Sequence, residues 1–164
     1  MSNTFLNLGC SAYKLKGFTN IDIDPEIGPD LCIDLKQLSN HFDENSVDFI
    51  FAGHVFEHLP RGDSQRLIED CWKLLKSHGT LLCIVPDYSK CGDLGIDKAE
   101  SIILAQGDHK ILFNQERLRD MLRQAGFNHA FHIANLSEVP YMLVSNIHDP
   151  KPDPWQTAFI ALKL

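Results

Sequence analysis

The feature that most constrains this chain is an alternation. Short apolar runs stop abruptly at glycine, proline or aspartate, and segments of helical periodicity separate several of them. Phe5 to Leu8 stops at Gly9, Thr19 to Asp24 at Pro25, and Thr80 to Val85 at Pro86; Leu31 to Ile33 and Val47 to Ala52 have the same character. Runs that are apolar on both faces suit a parallel sheet covered on both sides. Between the fourth and fifth runs, Leu67, Ile68, Cys71, Leu74 and Leu75 share one helix face, with Gly79 as the expected stop. A second helix is expected from the N-cap Asn114 to Gly126, with Leu118, Met121, Leu122 and Ala125 as its apolar stripe. A further helix is expected around Ile102 to Ala105, and strands at His129 to Ala134 and Thr157 to Leu162. Asp149 to Pro154, with three prolines, reads as a stiff link too near the end to separate domains.

Strand–helix alternation implies parallel strands joined by right-handed crossovers. In such sheets ligands bind beyond the carboxyl ends of the strands, where the strand order switches direction. That rule selects Gly9-Cys10, Asp22 to Asp24, Asp34, Gly53-His54 and Pro86-Asp87 before any chemistry is considered.

Composition narrows the class. A length of 164 residues fits one domain, taken here as 1–164, and 44% hydrophobic with 23% charged residues is the balance of a globular protein. No run approaches a membrane span, and Met1 to Thr4 leads directly into the first strand without an export-signal pattern. Five scattered cysteines without a C-x-x-C pair argue against a disulfide framework, so the expected location is the cytoplasm. A net charge of −7 with no basic run disfavours a nucleic-acid partner and a membrane surface, and points to a small-molecule partner; it leaves the oligomeric state open.

At the selected strand ends the sequence resembles the class I S-adenosylmethionine-dependent methyltransferases, and more narrowly the small type 11-like members. The resemblance rests on Leu6 to Cys10, Gly17 to Pro25, Val47 to Ile50 through His54 to Leu59, Leu74 to Leu81, Val85 to Asp87, and His109 to Phe127, in that order. It implies an α/β, Rossmann-like three-layer sandwich, a seven-stranded, mostly parallel sheet with an antiparallel last strand. It also implies S-adenosyl-L-methionine as cofactor, contacted by Asn7, Gly9, Cys10, Asp22, Ile23, Asp34, Leu35 and Gly53. The chain departs from the family in its first motif. Ser11 and Ala12 stand where further glycines are common, and Lys14 to Gly17 leaves little room for a helix before the second strand.

Each residue type has a chemical reason to be there. Gly9 lacks a Cβ and permits close backbone approach. A carboxylate at Asp22 can accept both ribose hydroxyls, with Asp24 the weaker candidate on the same strand face. Asp34 is implied to meet the adenine amino group with Leu35 lining the ring, or else simply caps the following turn. His54, beside the reacting methyl in this fold, can orient the acceptor or take its proton, because imidazole titrates near physiological pH. Asp87 and His109 are the other candidate catalytic contacts, under a lid expected from the irregular stretch Tyr88 to Gly107. No metal is assigned, since a sulfonium is already activated.

Rival readings are concrete. His54-Val55-Phe56-Glu57-His58 fits H-x-x-E-H, a zinc-hydrolase pattern, but that site needs a sustained helix, and Pro60-Arg61-Gly62 follows within about a turn. A non-catalytic cofactor- or partner-binding module is the alternative that the short glycine motif favours. A nicotinamide dehydrogenase would need G-x-G-x-x-G after the first strand, which is absent.

Overall fold

The computed structural model describes residues 3–104, 107–134 and 155–164. Seven strands form one sheet: β1 Phe5–Leu8, β2 Thr19–Asp22, β3 Leu31–Cys32, β4 Val47–Gly53, β5 Leu75–Pro86, β6 His129–Ile133 and β7 Gln156–Leu162. Their order is β3-β2-β1-β4-β5-β7-β6. The pairs among β1 to β5 are parallel, while β7 runs antiparallel to both β5 and β6. The parallel part is what the alternation predicts, and the whole is the Rossmann-like seven-stranded α/β sheet with an antiparallel last strand that the resemblance implies. Its direction of progression reverses between β1 and β4, which puts the crevice beyond Leu8 and Gly53.

One face is covered by helices α1 Arg61–Leu74 and α3 Gln115–Gln124. Leu67, Ile68, Cys71 and Leu74 from α1 and Leu118, Met121 and Leu122 from α3 pack with Leu6, Leu8, Ile50, Ala52, Leu81 and Cys83 of the sheet. On the other face Leu15 and Phe18 join Phe5, Phe49, Leu82 and Ile84. The β1–β2 link contains no helix. Instead Phe18 sets its ring 5.4 Å from Phe5 and 5.9 Å from Phe49, edge-on to the latter. Three aromatic rings thus fill volume that a crossover helix would otherwise cover.

Several boundaries differ from the sequence expectation. The second strand ends at Asp22, because Asp24 accepts the Glu26 N–H and caps a 3₁₀ turn at Pro25–Ile27. Helix α1 ends at Leu74 rather than near Gly79. Leu75 turns extended and pairs with Val47, so its buried side chain belongs to β5. Lys76 to Gly79 then form an irregularity in β5 between the Leu75 and Thr80 pairings, with His78 at φ 67. A Cβ on Gly79 would come within 2.9 Å of the Lys76 carbonyl oxygen, so glycine serves this bulge, not a helix end. The stretch after Asp87 is not irregular: Tyr88–Leu94 is 3₁₀ and α2 spans Ile96–Leu104. Ala105 and the link Asp149 to Pro154 lie outside the described residues. No described helix is long and apolar enough to cross a membrane.

Candidate functional site

The loops beyond β1 and β2 are built from backbone geometry. Gly9 adopts φ 58, and Ser11 follows at φ 44, a left-handed conformation that is costly for a residue with a Cβ. A Cβ on Gly9 would lie 2.9 Å from Val55 Cγ2, so the turns after β1 and β4 touch here. Asp22 anchors the strained turn: its Oδ2 accepts the Ser11 N–H at 2.8 Å and its Oδ1 the Asp24 N–H at 3.1 Å. Behind it, Asn7 donates both amide hydrogens, to Tyr13 O at 2.8 Å and Asn20 Oδ1 at 2.9 Å. Asn20 in turn donates from its backbone and side chain to Asp30 Oδ2. Those two bonds hold the Asp30 carboxyl below the usual carboxylate range.

The cofactor candidates therefore divide by surroundings. Asn7 is 2% exposed and fully engaged in bracing the loop. Cys10 is buried and its amide donates to Ile21 O; burial first, then the Asp22 charge, pushes its thiol up. That is a packing thiol rather than a nucleophile. Asp22 is half-buried at the crevice, and next to it Ile23 is 64% exposed. Asp34 accepts the Lys36 N–H at 2.9 Å and caps the 3₁₀ segment Leu35–Asn40, with Leu35 against the core. Gly53 accommodates the Phe51 ring, which a Cβ would approach to 2.8 Å.

Beyond β4 the geometry is made by side chains from distant parts of the chain. His54 sits at φ 57, its amide donating to Ile84 O at 2.9 Å. A carboxylate only accepts, so His54 Nδ1–H donates to Glu57 Oε1 at 2.8 Å. His54 Nε2 then accepts from the Gln156 amide at 2.8 Å, which fixes the neutral Nδ1–H tautomer. Trp155 lies beside the ring, 5.7 Å between centroids. Glu57 is 1% exposed, and its Oε2 has no hydrogen-bond partner among the described residues. Its carbonyl accepts the Lys110 N–H at 2.7 Å, drawing 107–113 onto the end of β4. His58 Nδ1 meets Asp108 Oδ2 at 2.9 Å, and the His58 and His109 rings stand edge to face at 5.0 Å. Burial lowers the pKa of His109, opposed by the nearby Glu57 charge.

Asp87 is in a different situation. It is 1% exposed, and its Oδ1 accepts the Ser89 N–H at 3.1 Å and the Ser89 hydroxyl at 2.5 Å. Its carboxylate caps the 3₁₀ segment that follows β5. The H-x-x-E-H pattern does not lie on one helix: only Phe56–His58 form a 3₁₀ turn, with His54 outside it. In the sequence Glu57 and His58 were weighed only within the H-x-x-E-H pattern, whereas the fold gathers them with His109. Gln156, Trp155 and Asp108 were not anticipated, and no local pattern announces them. Gln156 is 102 residues from His54.

Comparison with known proteins bears on the fold. Residues 9–83, from the turn after β1 into β5, match a family described as a methyltransferase domain. The fold is similar to a SAM-dependent methyltransferase from Archaeoglobus fulgidus, with a TM-score of 0.71 at 16% identity over 98% of this chain and 86% of that one. A SAM-dependent methyltransferase from Thermotoga maritima gives 0.68 at 16% identity, covering 100% and 84%. Phosphoethanolamine N-methyltransferase 2 from Haemonchus contortus, in complex with S-adenosyl-L-methionine, gives 0.64 at 16% identity, covering 99% of this chain and 49% of that one. No curated protein sequence matches the chain.

Proposed function

We propose that this chain is a class I S-adenosylmethionine-dependent methyltransferase, a reading supported by the methyltransferase-domain match and the fold, and that it methylates a small-molecule or sugar-like acceptor seated beside His54. The observation that carries the reading is the pairing of Asp22 with Ile23 at the end of β2, the strand next to the switch point. A half-buried carboxylate adjoins an isoleucine left 64% exposed. An apolar side chain so exposed beside an oriented acid fits an adenosine, whose ribose hydroxyls bond the acid and whose ring covers the isoleucine.

Within that reading, the cofactor lies against the backbone at Gly9 and Gly53, at the ends of β1 and β4, and Asp22 receives the ribose. Asp34 and Leu35 border the adenine side. Asn7 and Cys10 act from beneath by holding the loop. When bound, S-adenosylmethionine supplies an activated methyl group and departs as S-adenosylhomocysteine. The protein's part is positioning, which can supply much of the barrier reduction in such transfers. His54, fixed in one tautomer by Glu57, presents Nε2 to the crevice once Gln156 yields it, and takes the proton that the acceptor releases. His109 flanks the acceptor and Asp87 holds the floor of that side. The whole of 1–164 acts as one domain. Its free thiols and its net charge of −7 suit a cytoplasmic enzyme with a small-molecule rather than a nucleic-acid partner.

Calorimetry with S-adenosylmethionine and S-adenosylhomocysteine tests the assignment. Asp22→Ala should weaken binding by about 1–3 kcal/mol, the usual worth of a hydrogen bond to a charged group and its desolvation. Asp22→Asn, which can still accept the Ser11 N–H, separates loss of charge from loss of loop shape. Wild-type affinity in both variants would overturn the ribose assignment.

A further inference from the structure

The geometry points to a binding site for one first-row divalent transition cation, formed by Glu57, His58 and His109. Each residue offers one ligand atom, and the three atoms lie within 4.8 Å of one another. Around a tetrahedral ion with bonds near 2.0–2.1 Å, ligand atoms stand roughly 3.3–3.5 Å apart. Imidazole rotation of the two half-buried histidines supplies that closure.

Three independent features make this more than a chance grouping. First, the Glu57 carboxylate is buried, held through Oε1 by His54, and left with Oε2 unpartnered among the described residues. A buried carboxylate oxygen without a donor is costly, and a cation is the partner that offsets it most fully. Second, His58 already has the outer support typical of a metal-bound histidine. Its Nδ1 is bonded to Asp108, which leaves Nε2 as the free lone pair. Third, Glu57 and His109 both line one small pocket whose other walls are largely apolar, among them Ile102, Ile103, Ile111 and Phe113. Its interior room is about 10 Å³, close to what a single water occupies. It is a space for an ion or a water, not for a substrate.

Two imidazoles and one carboxylate select zinc, iron, cobalt or nickel over magnesium and calcium, which prefer all-oxygen shells. Three protein ligands leave positions open, as in sites that bind a further oxygen or nitrogen ligand. The ion would tie the turn after β4 to the 107–113 segment, which comes from the far side of α2. The inference does not depend on the methyl-transfer reading, since it concerns cation binding alone.

The test uses the full chain, stripped with a chelator and titrated with Zn²⁺ by calorimetry, then with Co²⁺ by visible absorption. The expected result is one equivalent bound with a micromolar or tighter Kd, and intense cobalt bands of a low-coordinate nitrogen–oxygen site. His58→Ala, His109→Ala and Glu57→Gln should each weaken binding at least tenfold while melting cooperatively. Asp108→Asn should weaken it by about 10–100-fold, the range for loss of an outer-shell partner. His129→Ala, an exposed histidine on β6, should bind as wild type does. Absence of one-equivalent binding, or wild-type affinity in the His58→Ala/His109→Ala double variant, would overturn the site.

Discussion

The two sides of the crevice are built on opposite principles. The loops beyond β1 and β2 are braced by bonds of short sequence range: Asn7 to Tyr13, Ser11 to Asp22, Asn20 to Asp30. The turn beyond β4 is braced from far away, by Gln156 on His54, by Asp108 on His58 and by Glu57 receiving Lys110. A locally braced loop is shaped before the sheet is complete, because its loop-closure cost is small. A site assembled across 102 residues exists only once β7 has docked. The difference suggests a division of labour. A preformed side suits a common cofactor, whereas a side made from late-arriving segments can vary with the acceptor and leave the cofactor pocket unchanged.

The sharpest way to break this comparison is at Gly9, where the two sides touch. Gly9→Ala would force a Cβ into a left-handed conformation and to within 2.9 Å of Val55 Cγ2. The expected loss is about 2–4 kcal/mol in urea unfolding, combining left-handed strain with overpacking. Val55→Ala in the same chain should recover the overpacking part, so the double variant is less destabilised than the sum of the singles. Strict additivity would mean that the two turns are not coupled through this contact.

Next in size is the brace itself. Asn7→Leu removes two buried donors and leaves the Tyr13 carbonyl short of a partner, for about 1–3 kcal/mol of stability. Because Asn7 lies beneath the Ser11–Asp22 turn, S-adenosylmethionine affinity should fall with it. Gln156→Ala is the matched change on the other side. It should cost about 0.5–1.5 kcal/mol at most, lower the rate of transfer to acceptor, and leave cofactor affinity within about twofold. Equal losses of cofactor affinity in both variants would erase the distinction between the sides.

The same contrast explains what the sequence made legible. The strands, α1, α3 and the Asn114 cap follow from apolar periodicity and capping chemistry, which are local. Asp22 was singled out because it lies near the carboxyl end of the second apolar run, where the family resemblance favours it over Asp24. Gly79 misled, because a glycine after a helical stripe resembles a C-terminal stop, whereas here it sits in a bulge of β5 against the Lys76 carbonyl. The Glu57–His58–His109 grouping was illegible for another reason. H-x-x-E-H invites pairing of its own two histidines, but His54 takes a left-handed turn and is bonded by Gln156, and His58 turns instead to a residue 51 positions on. Only the fold chooses between those partners.

The smallest expected effect lies at the outer end of the local brace, and its sign follows from linkage. Asp30 is exposed, and the two bonds from Asn20 lower its pKa in the folded chain relative to an ordinary aspartate near 3.9. Between the folded and unfolded values the unfolded chain binds more protons, so stability rises with pH there. The contribution is fully present above the unfolded value and is lost as pH falls through the folded one. Melting temperature measured from pH 5 downward should therefore decline less steeply in Asp30→Asn than in the wild type, with the two curves parallel above pH 5. Equal slopes in the acid range would show that the carboxylate does not hold Asn20. The local brace would then end at Asn7 and Asn20, with Asp30 a surface acid that only happens to lie beside it.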